Sequence, residues 1–149
     1  MRYNGSVRKY ANSDKYTNPM EAEKYIYKDL SRQPVGAAFK VYNSAGFGMP
    51  EKYIQAAYAE ELKSLGLKFD REYHLQLSCY DKPIAKHFAD FRVEDRIIIE
   101  IKVRAYPGYV HIKQVQAYLL ASGDKLAIIL YFTKDGVKFR RVLNPKNIQ

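Results

Sequence analysis

The sequence predicts a single α/β domain, a central mixed β-sheet flanked by helices. Two observations carry that expectation. Apolar residues recur at helical spacing as far as about residue 65 and then alternate, as in strands, from Phe69 onward; a second helical stretch separates strand-like runs at residues 96–103 and 126–132. The order ααα-βββ-α-ββ is that of one sheet with helices packed on it. A chain of 149 residues suits one core, and its 47% hydrophobic content is enough to fill it.

The elements follow in order. Residues 1–18 are polar and basic, with Arg2, Arg8, Lys9 and Lys15 interleaved with Tyr3, Tyr10 and Tyr16; they read as an N-terminal arm, and residues 19–149 as the folded domain. Asn18-Pro19 is a helix start, and a helical pattern runs from Met20 to Leu30. Pro34 either kinks that helix or opens a second one running to about Asn43, before the break at Gly46-Phe47-Gly48. Pro50 opens the next helix, whose stripe Ile54, Ala57, Tyr58, Leu62 and Leu65 ends at Gly66. Phe69–Tyr80 alternates as a strand, and Asp81-Lys82-Pro83 is a turn. Residues 86–93 and 96–103 are strands joined by a tight turn at Glu94-Asp95. After Pro107-Gly108, residues 111–121 are helical; Leu126–Phe132 is apolar throughout, as in a strand covered on both faces. Asp135-Gly136 turns the chain into a last strand, Val137–Leu143.

Twenty-five Lys and Arg against 16 Asp and Glu leave a net charge of +9, which favours polyanionic partners such as nucleic acid. Fourteen tyrosines and seven phenylalanines offer rings on which bases could stack, although most belong in a core. No apolar run approaches the roughly 20 residues of a membrane-spanning helix. The N-terminus lacks an apolar leader, and the single Cys79 forms no internal disulfide, so a cytoplasmic location is expected.

The chemistry concentrates in His87-Phe88-Ala89-Asp90 and Ile97-Ile98-Ile99-Glu100-Ile101-Lys102. Counted back from the Glu94-Asp95 turn, antiparallel pairing sets Asp90 opposite Glu100 and Phe88 opposite Lys102. Alternation then puts Glu100 and Lys102 on one face and Ile97, Ile99, Ile101 and Val103 on the other. A slip of one residue would turn Asp90 onto the isoleucine face, so the pattern specifies its own register. Facing carboxylates should cost a few tenths to about 1 kcal/mol. A divalent cation removes that cost, and carboxylate oxygens suit Mg²⁺ or Mn²⁺. Lys102, two residues on, could orient or deprotonate the attacking water and stabilise charge developing on a phosphoryl group. The same residues would also serve as a solvated strand face with an ordinary Glu-Lys pair.

These residues resemble the PD-(D/E)XK nuclease superfamily, with Asp90 as the first acid and Glu100-Ile101-Lys102 as the E-x-K element. Gln114-Val115-Gln116-Ala117-Tyr118 is similar to the Q-x-x-x-Y motif of RecB-type exonuclease domains, and Gln114 and Tyr118 lie one helical turn apart on one face. Upstream, residues 35–42 and Gly46-Phe47-Gly48-Met49-Pro50-Glu51 resemble the GxxExxY family within that superfamily, whose members are mostly prokaryotic. The resemblance covers about residues 25–143 and implies a Mg²⁺- or Mn²⁺-dependent nuclease acting on nucleic acid, DNA more than RNA. It implies Asp90, Glu100, Lys102, Gln114 and Tyr118 as catalytic residues. The metal would be held by Asp90 and Glu100, with Glu51 and the Ile101 carbonyl helping. Glu51 also has a structural explanation, since a carboxylate in a first helical turn is favoured by the helix dipole. Two positions depart from the pattern. Ile54 stands where the family has a tyrosine, with Tyr53 and Tyr58 nearby, and Ala89 replaces the proline before the first aspartate.

Lys86, His87, Arg104, His111 and Lys113 flank the motif and are candidates for nucleic-acid contacts; each would also serve as a solvated or simply hydrogen-bonded side chain. His74 is expected at the surface. Self-association into a homo-oligomer is expected by analogy with exonucleases of this fold. The alternative function is a catalytically silent nucleic-acid-binding or assembly module on the same fold, motivated by the basic arm and the missing tyrosine at position 54.

Overall fold

The computed structural model describes residues 26–108 and 110–147. The basic arm and the predicted helix up to residue 25 therefore lie outside the described residues. Three layers build the domain: helices α1 (Arg32–Ala45) and α2 (Glu51–Ser64) cover one face of a five-stranded sheet, and α3 (Val110–Ser122) covers the other. The strands are β1 (Phe69–Cys79), β2 (Lys82–Val93), β3 (Ile97–Val103), β4 (Leu126–Thr133) and β5 (Gly136–Leu143). They lie in the order β1-β2-β3-β4-β5; β3 and β4 run parallel through the α3 crossover, and every other pair is antiparallel.

The isoleucine run of β3 explains why the sheet is covered on both sides. Ile97, Ile99 and Ile101 join Phe91, Val93, Ile128 and Leu130 under α1 and α2, while Ile98 joins Ala127, Ile129 and Leu119 under α3. Each fully buried isoleucine contributes about 1.5–3 kcal/mol by leaving water. Strand β4 is buried along its whole length, as its apolar sequence required.

Three expected boundaries move. Residues 26–31 form turns rather than the end of a helix, because Tyr27 takes a left-handed backbone (φ 53°). Helix α1 then starts at Arg32, so Pro34 falls in its first turn, where a missing N–H costs nothing, and opens the helix rather than kinking one. The turn expected at residues 81–83 sits at Tyr80-Asp81, both with positive φ (52° and 60°), and β2 begins at Lys82 rather than residue 86. A register shift between Leu77 and Ser78 absorbs the extra residue, and Pro83 is tolerated where β2 has a single neighbouring strand.

The turn between β2 and β3 places the site. Glu94 and Asp95 both take φ 55°, with the Arg96 N–H bonded to the Val93 carbonyl, a twist that suits a tight hairpin. Beyond it the β2–β3 ladder holds only Val93 with Ile97, Arg92 with Ile98 and Phe91 with Ile99. Strand β2 then parts from β3, and among the described residues it is paired with β1 alone. The expected placement of Phe88 opposite Lys102 does not occur, because the strands have parted before reaching it. The core also changes sides there: Phe91 packs under α1 and α2, whereas Ala89 and Leu75 pack under α3. Glu72, across from this point on β1, takes φ 50°, which lets the ribbon swap faces.

Candidate functional site

Asp90 and Glu100 stand at the fork where β2 and β3 separate, and their side chains replace the rungs the ladder loses. The Asp90 N–H donates to Glu100 Oε1 at 2.8 Å, and the Ile101 N–H donates to Asp90 Oδ2 at 2.8 Å. Each acid is thus clasped by the opposite strand's backbone, with its second oxygen outside that bond. Lys102 Nζ lies 3.8 Å from Glu100 Oε2, its side chain largely buried. The paired register ends at Phe91 with Ile99, so Asp90 and Glu100 are brought together by side-chain bonds to backbone N–H groups and not by the strand pairing the alternation predicts.

The electrostatics of the pair are unfavourable as they stand. Burial is the main cause that pushes the Glu100 carboxyl up to about 8; the neighbouring Asp90 adds to it, while the Asp90 N–H and Lys102 oppose it. Burial also raises Asp90, against the Ile101 N–H and Lys102, with Glu51 contributing a further rise. Two carboxylates taken out of water beside each other call for positive charge.

Glu51, the first residue of α2, comes in from the far side. Its Oε2 accepts from the Val103 N–H at 3.2 Å and from the Arg104 guanidinium at 3.0 Å. Arg104 is therefore held by an acid as well as placed near the site. Tyr118 is buried, and its phenol is pushed up to about 12, first by burial and then by Glu100 and Asp90, so it stays protonated as a donor. Gln114 lies one turn before it, half-buried. The His87 ring sits 5.9 Å from the Tyr118 ring, on the α3 side of the ribbon. Lys86, its neighbour on β2, lies on the opposite face and is exposed, so the structure separates these two candidates. His111 is lowered by burial and by the charges of Lys102 and Arg104, and its ring lies 5.8 Å from that of Tyr131. Lys113 is exposed on α3. His74, expected at the surface, is exposed and pairs with the Phe88 ring at 5.4 Å. Near Ile54, Tyr58 is sealed in the core with its hydroxyl on the Pro34 carbonyl, leaving Tyr53 as the exposed neighbour.

Among the described residues no three His, Cys, Asp or Glu side chains stand together as a ready metal-binding group. The donor set is a pair of carboxylates, with Glu51 close enough to be felt by both. Two hard oxygen donors fit Mg²⁺ or Mn²⁺, which take one or two protein carboxylates and otherwise keep water. The Tyr131 hydroxyl, which ties the loop before α3 to the sheet by donating to the Gly108 carbonyl at 2.6 Å, escaped the sequence reading. A lone tyrosine in a strand of apolar residues was its only signal.

A family model described as the PD-(D/E)XK nuclease superfamily matches residues 28–142. The protein in the crystal structure of SSO0001 is similar at 19% sequence identity and a TM-score of 0.46, over 97% of this chain and 78% of that one. No curated protein matches the chain. Among the described residues no helix is long and apolar enough to cross a membrane.

Proposed function

The chain belongs to the PD-(D/E)XK nuclease superfamily, and from that premise we propose that it is a metal-dependent nuclease hydrolysing phosphodiester bonds, with DNA as its substrate. One observation carries the reading: two desolvated carboxylates are clasped side by side, with an ammonium 3.8 Å from the second. The hydrogen bonds each acid accepts do not cancel the cost of taking two neighbouring carboxylates out of water, whereas a bound divalent cation would offset it.

Asp90 and Glu100 hold the cation, assisted by Glu51 and the Ile101 carbonyl. When bound, the ion supplies Lewis-acid charge at the phosphoryl oxygens. Lys102, steadied by Glu100, orients the attacking water and offsets the negative charge that builds as the phosphorus–oxygen bond to the leaving group breaks. Tyr118 and Gln114 orient Lys102 or the scissile phosphate as hydrogen-bond donors.

The test is cleavage of plasmid and single-stranded DNA with Mg²⁺ or Mn²⁺. Lys102→Ala should lower the rate by at least about 10²-fold while the variant melts as a folded protein. Cleavage at the parental rate in that folded variant overturns the assignment.

A second reading, a silent nucleic-acid-binding module, draws on the engagement of Glu51 by Arg104 at 3.0 Å, which commits the third acid to an ion pair. Titration calorimetry separates the two. Mn²⁺ binding that disappears in Glu100→Gln supports the nuclease; no heat of binding, with salt-sensitive DNA affinity intact, supports the module.

A further inference from the structure

We propose that the outer face of the β1–β2 ribbon, built from His74, Lys86 and Phe88 with Lys82 and Ile84 toward its tip, docks an unpaired stretch of DNA strand beside the acid pair. The inference rests on the nuclease reading and names the form of substrate that reading leaves open.

Beyond the fork the ribbon has one packed face and one free face. Leu75 and Ala89 belong to the cluster under α3, with Leu77 packed against it. Alternate residues point the other way. His74 pairs with Phe88 and Gln76 with Lys86, and all four are exposed. Phe88 is 56% exposed, Ile84 66% and Tyr80, in the turn, 93%. Surface apolar residues scattered singly are ordinary, whereas three on one short hairpin mark an interaction surface.

Charge decides the occupant. From Tyr73 to Ala89 the hairpin carries two lysines and one carboxylate, Asp81 in the turn. The ammonium groups of Lys82 and Lys86 enter no hydrogen bond or ion pair among the described residues, so both are available to phosphate. A second copy of the chain would bring the same lysines face to face in a protein of net charge +9, which disfavours pairing of two ribbons.

The rings decide the form of the DNA. The His74 and Phe88 rings lie 5.4 Å apart, a platform on which a base can stack while Lys86, next along on the same face, meets its phosphate. Bases of a duplex already stack on one another, so the platform favours a strand whose bases are free. Gln76 is spent inside the ribbon: its amide donates to the Ala85 carbonyl at 2.9 Å and steadies the two strands under the platform. Phe88 is two residues along β2 from Asp90, roughly 7 Å. Among the described residues no strand pairs with the β3-side edge of β2 over this stretch, so the way from the platform to the acid pair runs round an open edge. Lysines on a hairpin also deter pairing with other chains, a role indifferent to the ring at position 88.

Binding of a labelled unpaired oligonucleotide and of a duplex of the same length, both held in EDTA to prevent cleavage, is to be followed by anisotropy over a series of KCl concentrations. Phe88→Leu should weaken binding of the unpaired strand about 5–100-fold, the loss of one stacking contact, and of the duplex less than about 2-fold. Phe88→Tyr should keep the parental affinity. Lys82→Gln/Lys86→Gln should lower the slope of log affinity against log salt by roughly 1–1.5, whereas Lys125→Gln, just before β4, should keep the parental slope. A folded Phe88→Leu that binds the unpaired strand as the parent does overturns the surface while leaving the nuclease reading intact. Equal losses for both forms of DNA overturn the choice of an unpaired strand. Sedimentation of the parent as a dimer that Phe88→Leu returns to monomer, with DNA affinity unchanged, gives the face to a second copy and overturns the proposal. A parent that neither binds nor cleaves either DNA sinks the reading beneath it. Should Phe88→Leu fail to fold, an unchanged slope in the lysine double variant overturns the proposal.

Discussion

Two ionic pairs lie on the α3 side of the sheet, and they are built on opposite principles. Near the helix C-terminus, Arg92 grips Asp124 with two parallel bonds, Nε to Oδ2 at 2.9 Å and Nη2 to Oδ1 at 2.8 Å, and its guanidinium lies 4.9 Å from the centre of the Tyr73 ring. Charge and hydrogen bonds are balanced within the fold. Beside Tyr118, Asp90 and Glu100 bring like charges together with Lys102 alongside, and burial outweighs that lysine's help at Glu100. The first pair is balanced as folded; the second is left unbalanced, and on the proposed reading a divalent cation would complete it. A buried ion pair is thus informative about function when its charges fail to cancel.

The contrast can be broken by exchanging the consequences. Glu100→Gln should reduce metal-dependent cleavage by at least about 10²-fold, yet the metal-free variant should melt higher than the parent above pH 8, since an isosteric neutral group replaces a desolvated charge. Asp124→Ala should do the reverse. Stranding a mostly buried guanidinium should cost about 3 kcal/mol in urea unfolding, with the specific activity of the folded fraction preserved. If Asp124→Ala abolishes cleavage without destabilising the protein, the division between the two pairs is wrong.

A pH series sharpens the comparison. The unfolded Glu100 carboxyl loses its proton near 4.5, whereas the native one keeps it to about 8. Over that window the native state binds more protons, so metal-free stability should fall as pH rises from about 5 to 8 and level off above. Mg²⁺ should flatten the upper part of the curve, and Glu100→Gln most of it. Melts that rise steadily across this range would contradict the assigned direction. The smallest effect is expected at Tyr118→Phe: removing one donor hydroxyl should slow cleavage about 3–10-fold, near 1 kcal/mol, and leave the melting temperature within a degree or two.

The residues of the fork were legible because they obey local rules. Alternation along Ile97–Lys102 and the count back from Glu94-Asp95 suffice to make Asp90 and Glu100 neighbours. The α/β order was legible too, through Gly66, Gly46 and the apolar run of β4. What escaped depends on contacts distant in sequence. Arg92 and Asp124 are 32 residues apart, and nothing near either announces the other. Pro83 reads as a turn because a proline usually ends a strand; only the absence of a second neighbour beside β2 makes it acceptable there. Tyr58, a plausible substitute for a tyrosine at position 54, is disqualified by burial alone.

The clasp at the fork has a consequence for how such a protein would lose its trade. Asp90 and Glu100 each close a gap in the hydrogen bonding between two strands, so a descendant that had stopped cutting would still profit from keeping both acids as carpentry. Among the described residues no backbone group leans on the ammonium of Lys102. That single position, rather than the acids, is where retirement would first leave its mark.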